Sequence, residues 1–127
     1  MILIKRNFDL IRHILLVTEN SNKNVLTVED FVTYEYVESE IAYHIALLID
    51  ANYLVADETK FLRQKHSQYR VKRLTFSGSE YLDHIRNNSI WAKTKETILK
   101  AGSILTFETI SKVAPQIALA LINNSLT

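Results

Sequence analysis

The chain has 127 residues, a formal net charge of +1, 47% apolar residues and 23% charged residues, which suits one soluble domain (1–127) with a single core. It has no cysteine, so a disulfide framework or a thiolate metal site is excluded. With two glycines and one proline, phosphate-cradling glycine loops are excluded as well, and most of the chain must be helix.

The start, MILIKRNFDLIRH, is a short apolar stretch broken by Lys5, Arg6 and Asp9, unlike the unbroken apolar run of a signal peptide. The longest apolar run, residues 117–122, is far below the about 20 needed to cross a bilayer. A cytoplasmic protein without a membrane partner is expected.

Phe8, Ile11 and Leu15, flanked by Leu10, Ile14 and Val17, keep helical spacing after the candidate cap Asn7, and Asp9 sits in the first turn where the dipole favours an acid. Residues 19–24 read as a turn and 25–28 as a short extended segment. From residue 37 the helical pattern returns, with Ile41, Ile45, Leu48 and Ile49 on one face and Ser39 as candidate cap. Asn52 suits a left-handed stop to that helix. Residues 53–55 and 69–76 read as strands of a hairpin joined through the polar segment 59–68. Ser77 and Glu80 have capping-box spacing, and Thr75 is an alternative cap, so the second strand hands over directly to a helix bearing Tyr81, Leu82 and Ile85. Residues 87–89 interrupt it. Ile90, Trp91, Ile98 and Leu99 belong to the next helix, ending near Gly102, with Trp91 expected to anchor against Ile11, Leu15 or Ile85. Residues 107–122 are apolar at helical spacing, but Pro115 predicts a kink or division near Val113.

Helix, extended segment, helix, hairpin, helix is the order of a winged helix-turn-helix domain. The fold class is therefore α+β and mainly helical, with a core over 7–87, a two-stranded wing and a C-terminal helical extension over 89–123. Residues 38–51 take the recognition-helix place and 59–68 the wing tip. The words YHIALL (43–48), ANYL (51–54), RLTFSGSEYLDHIR (73–86) and IWAKTK (90–95) resemble the bacterial and prophage-borne family known as domain of unknown function 2513. The resemblance covers most of the chain and implies a small winged-helix-like protein of phage-derived regions. Asn52 stands where the family pattern suggests glycine, and Phe76-Ser77 where it suggests a tryptophan and an acid.

Catalytic chemistry finds no footing. His13, His44, His66 and His84 are scattered and belong to no metal-ligand pair at helical spacing. Ser77-Gly78-Ser79 lacks the nucleophile-elbow pattern, and Glu38 and Glu40, two apart on a helix, point in different directions. No enzyme activity, metal or cofactor is expected.

Charge is segregated along the chain. Residues 24–58 hold eight acids and no Lys or Arg, whereas residues 59–79 hold Lys60, Arg63, Lys65, Arg70, Lys72 and Arg73 with no acid. These cations either track phosphates or pair with Asp57 and Glu58 on the facing strand, Arg70 with Asp57 foremost. The leading expectation is a regulator of transcription that contacts duplex DNA through Lys60, Arg63, Lys65, His66, Lys72 and Arg73. A helix over 38–51 without Lys or Arg is poorly suited to reading bases. The alternative is an adaptor that binds a phage or host protein through Glu38, Glu40, Tyr43 and His44 and never touches DNA. Residues 117–122, apolar on every side and including Ile117 and Leu121, mark a candidate homodimer contact.

Overall fold

A computed structural model describes residues 5–126; the apolar start at 1–4 and Thr127 lie outside them. Asn7 opens the first helix, α1 (Phe8–Asn20), its side-chain oxygen accepting from the amides of Asp9 and Leu10. Two otherwise orphaned N–H groups are thereby satisfied. The apolar stripe read from the spacing is buried, with Leu10, Ile11, Ile14 and Leu15 fully inside.

The extended segment is shorter than expected. Leu26 alone pairs, exchanging both backbone hydrogen bonds with Val71 at 2.8 and 2.7 Å, and Val28 already belongs to a 3₁₀ turn, Val28–Phe31. That turn is started by Thr27, whose N–H donates to the Asp30 carboxylate at 2.8 Å, and it buries Val28 and Phe31. The second helix, α2, spans Glu38–Asp50 and is not capped by Ser39. Its N-cap is Val37, which offers no side-chain bond; the Val37 carbonyl accepts from Ile41 N–H at 3.0 Å, and Glu38 and Glu40 sit in the first turn beside the positive end of the dipole.

The stop at Asn52 is as read from the sequence. Asn52 has φ 62°, its N–H donates to the Ile49 carbonyl and Tyr53 N–H reaches back to Leu48 at 2.8 Å, the paired bonds of a Schellman cap. The chain then enters β1 (Leu54–Thr59), which pairs antiparallel with β2 (Gln68–Leu74). Both strands are displaced from the expected ranges, and Phe76 begins a helix instead of ending a strand. A bulge between Val55 and Ala56 shifts the register so that Val55 faces Arg73 while Ala56 faces Val71. Tyr69 and Val71 point into the core beside Leu26, and Arg70 and Lys72 point out.

Helix α3 (Phe76–Ile85) follows with one intervening residue. Thr75, the alternative cap, is the one used: its hydroxyl accepts from Gly78 N–H at 2.9 Å and donates to the Asn52 carbonyl at 2.6 Å. The backbone divides into two compact units, Met1–Ser79 and Glu80–Thr127. The first contains the winged-helix arrangement: α1, the 3₁₀ turn, α2 and the hairpin, with α1 and α2 packed against each other and against the strands.

In the second unit, Asn87 caps α4 (Asn88–Lys100) by accepting from Ile90 N–H, and Gly102 at φ 79° closes it with a second Schellman cap. Trp91 is buried, with the Lys95 ammonium 5.2 Å from its ring centroid. Helix α5 (Phe107–Leu126) packs along α4 and is not divided at Pro115. A proline removes one donor from the ladder, but the helix runs on through it into a segment containing Ala118, Leu119, Ala120 and Leu121, all strong helix formers. Tyr81 and Phe107 meet edge-on with centroids 5.0 Å apart. The whole is a mainly helical α+β chain with one small hairpin flanked by helices, a winged-helix-like architecture.

Candidate functional site

The hairpin loop, residues 60–67, and the entry to α2 carry the charge segregation into space. Lys60, Arg63 and Lys65 are exposed in the loop, with Arg63 in the left-handed region at φ 73°; Arg70 and Arg73 are exposed on β2. Among the described residues, Lys60, Arg63, Lys65 and Arg70 make no ion pair. Lys72 does: its ammonium lies 3.1 Å from Asp57. This corrects the expected Arg70–Asp57 pair. Although Arg70 is the cross-strand partner of Asp57, Lys72 shares its outward side and reaches it diagonally, next to the bulge. The pair is half exposed at both ends, so it is weak and leaves Lys72 largely available.

His66 turns away from the basic set. Its Nδ1 sits 2.9 Å from the Ser67 carbonyl and its Nε2 3.8 Å from Glu38, and the ring is mostly covered, so it faces the acidic end of α2 instead of solvent. At the base of the loop the Tyr69 hydroxyl donates to Glu58 at 2.7 Å. That bond draws Glu58 below the ordinary carboxylate range, while burial, then the same bond and then the Glu58 charge push Tyr69 up to about 12. Glu58 therefore stays ionised and is committed to the strand pair.

On α2 the candidates separate. Glu38 and Tyr43 are exposed and Glu40 is half buried. His44 must be withdrawn as a contact for a partner, because it is fully buried. Its Nε2 accepts the Asn7 N–H at 2.8 Å, which leaves Nδ1 as the protonated nitrogen donating to the Glu40 carbonyl at 2.8 Å. It is a structural tie between the cap of α1 and the first turns of α2. Ser39, Tyr43 and Asp50 are exposed along the outward side of α2, with Ala46 and Leu47 half buried beside them, and this side carries no cation.

Sequence reasoning missed the apolar side chains that stand in solvent beside these charges. Tyr34 is 97% and Leu62 96% exposed, and Val37 and Phe61 are more than half exposed. The signal was present in YEYVE (34–38) and KFLRQK (60–65), where apolar and charged residues mix without helix or strand period. In the second unit, Ile117 is half buried and Leu121 is 50% exposed, so the apolar end of α5 remains open. No cluster of three or more His, Cys, Asp or Glu is placed to hold a metal among the described residues. No described helix is long and apolar enough to cross a membrane.

No solved structure matches the chain. An "Uncharacterized protein" of Haemophilus influenzae is 34% identical over 116 residues, covering 90% of this chain and 95% of that relative. The model of one protein family matches residues 5–104, a span that begins just before α1 and ends after α4, and that contains every word on which the sequence resemblance rests. This winged-helix-like chain therefore belongs to the family described as "Hypothetical protein (DUF2513)".

Proposed function

We propose that this protein is a non-enzymatic regulator that holds duplex DNA weakly, through phosphates, with its wing. The observation that carries the reading is the set of exposed wing cations that form no ion pair among the described residues: Lys60, Arg63, Lys65 and Arg70. Cations on a projecting hairpin gain affinity by releasing condensed counterions, which requires no base contact. The acidic, cation-free α2 argues against major-groove reading, so binding should be indifferent to sequence.

Fluorescence anisotropy with random-sequence duplex tests this. Binding is expected at about 50 mM salt and should fall steeply as salt rises. Replacing Arg63 and Lys65 together by Ala should weaken it equally for all sequences and lower the salt slope by roughly two. Changing Glu38 and Glu40 to Gln should strengthen it slightly by removing repulsion. Absence of binding at low salt, or an Arg63/Lys65 variant that binds like its parent, refutes the reading.

A second reading, an adaptor that binds protein through α2, is favoured by the uncharged aromatic and aliphatic side chains along its outward side, Tyr43, Ala46 and Leu47, which suit a protein surface better than a groove of base edges.

A further inference from the structure

Two exposed patches of the first unit are matched in chemistry and opposite in sign. At the wing tip, Leu62 and Phe61 are 96% and 54% exposed and stand among Lys60, Arg63 and Lys65. At the entry to α2, Tyr34 and Val37 are 97% and 61% exposed and stand among Glu35 and Glu38. Single exposed apolar residues are ordinary; clusters with a charged rim are what an interface presents.

The wing loop also meets the acidic patch. His66 at the end of the loop lies 3.8 Å from Glu38 at the start of α2, so the loop that carries the wing tip returns to the chain beside the acidic patch. They do not cover each other within one copy, since their apolar side chains remain in solvent.

We infer that two copies of this chain exchange wings: each tip seats on the acidic patch of the other, Leu62 and Phe61 against Tyr34 and Val37, with Arg63 and Lys65 opposite Glu35 and Glu38. Adjacent complementary patches are what a two-fold axis needs, because rotation about an axis between them brings each patch onto its complement. A basic partner of another kind would cover the acidic patch and leave Leu62 and Phe61 in water, whereas a second copy covers both. The inference does not depend on DNA binding, and its test contains no DNA.

The test is a charge swap followed by sedimentation velocity. One variant carries Arg63→Glu and Lys65→Glu, the other Glu35→Lys and Glu38→Lys; all four positions are exposed, and circular dichroism checks that each variant keeps the parent's helical content. The parent should dimerise at low salt and dissociate as salt screens the contacts. Each variant alone now sets like charge against like and should dimerise at least about tenfold more weakly. Mixed in equal amounts, the two should recover the dimer, since both contacts of the mixed pair again join opposite signs. Leu62→Ser, which changes no charge, should weaken the parent dimer too. A mixture that stays monomeric overturns the inference. So does a parent that is monomeric at low salt, or variants that associate as the parent does and without salt dependence, which would place association on another surface such as the apolar end of α5.

Discussion

Replacing Gly78 by Ala should destabilise the protein, although Gly78 lies inside a helix where that change ordinarily helps. Alanine in place of a helical glycine gains about 0.5–1 kcal/mol. At this position, however, a Cβ would lie 2.2 Å from the Tyr53 carbonyl oxygen and 3.0 Å from its carbon. The obstacle is backbone, and it is held: that carbonyl accepts from Thr75 N–H at 3.0 Å, and the Tyr53 N–H closes the α2 cap. Relief needs a shift of about 1 Å, which restores ordinary carbon–oxygen contact. Overpacking costs about 1–3 kcal/mol, and losing the Thr75 bond about 1 more. The net loss is then about 1–3 kcal/mol, a fall in Tm of roughly 4–10 °C for a chain of this size. Thermal and urea unfolding followed by circular dichroism would measure it. Gly102 supplies the contrast, because nothing lies within 4 Å of a Cβ there and only φ 79° disfavours a side chain. Gly102→Ala should cost about 1–2 kcal/mol, and Gly102→Asn should recover much of that. Gly78→Asn should be worse than Gly78→Ala. A Gly78→Ala protein as stable as its parent would refute the close-approach argument.

Three further outcomes follow from buried groups. Trp91→Ala should cost about 3–5 kcal/mol, and an unchanged melting curve would show that the ring anchors nothing. His44→Phe keeps the ring's bulk but leaves the Asn7 N–H without its partner, so it should lower stability by about 1–3 kcal/mol; a urea midpoint equal to the parent's would refute the tie. Tyr69 favours its neutral form in the folded state, with a pKa raised to about 12 against about 10 unfolded, so its contribution is intact below pH 10 and lost as pH rises toward 12. Tyr69→Phe should flatten that alkaline decline, and an equally steep decline in the variant would exclude Tyr69 as its source.

The sequence reveals most where the physics is local. The cap at Asn7, the left-handed stop at Asn52 and the Thr75 handover each depend on one side chain and the backbone within a few residues. The 3₁₀ turn Val28–Phe31 is too short for a period, and only the Thr27–Asp30 spacing marks it. The start of α2 has no side-chain signal, because Val37 caps through its carbonyl alone. His44 shows the boundary well. With Ile41, Ile45 and Leu48 it occupies spacing that puts it on the buried face, so its burial was legible. Its hydrogen-bond partner, 37 residues earlier, was not.

The candidate site divides in the same way. Segregated charge is a property of chain order and was plain in the sequence, but which cation pairs with Asp57 depends on a bulge that a string of residues does not display. Adjacency is also invisible in one dimension, yet it frames the functional question, because the end of the basic loop, at His66, lies beside the acidic entry to α2. On the two proposals phosphates and carboxylates would compete for Arg63 and Lys65, and salt would weaken both contacts alike. Salt dependence alone therefore cannot separate DNA binding from self-association. Exchanging the signs between two copies can, since DNA presents only negative charge and would never reward a positive patch paired with a negative wing.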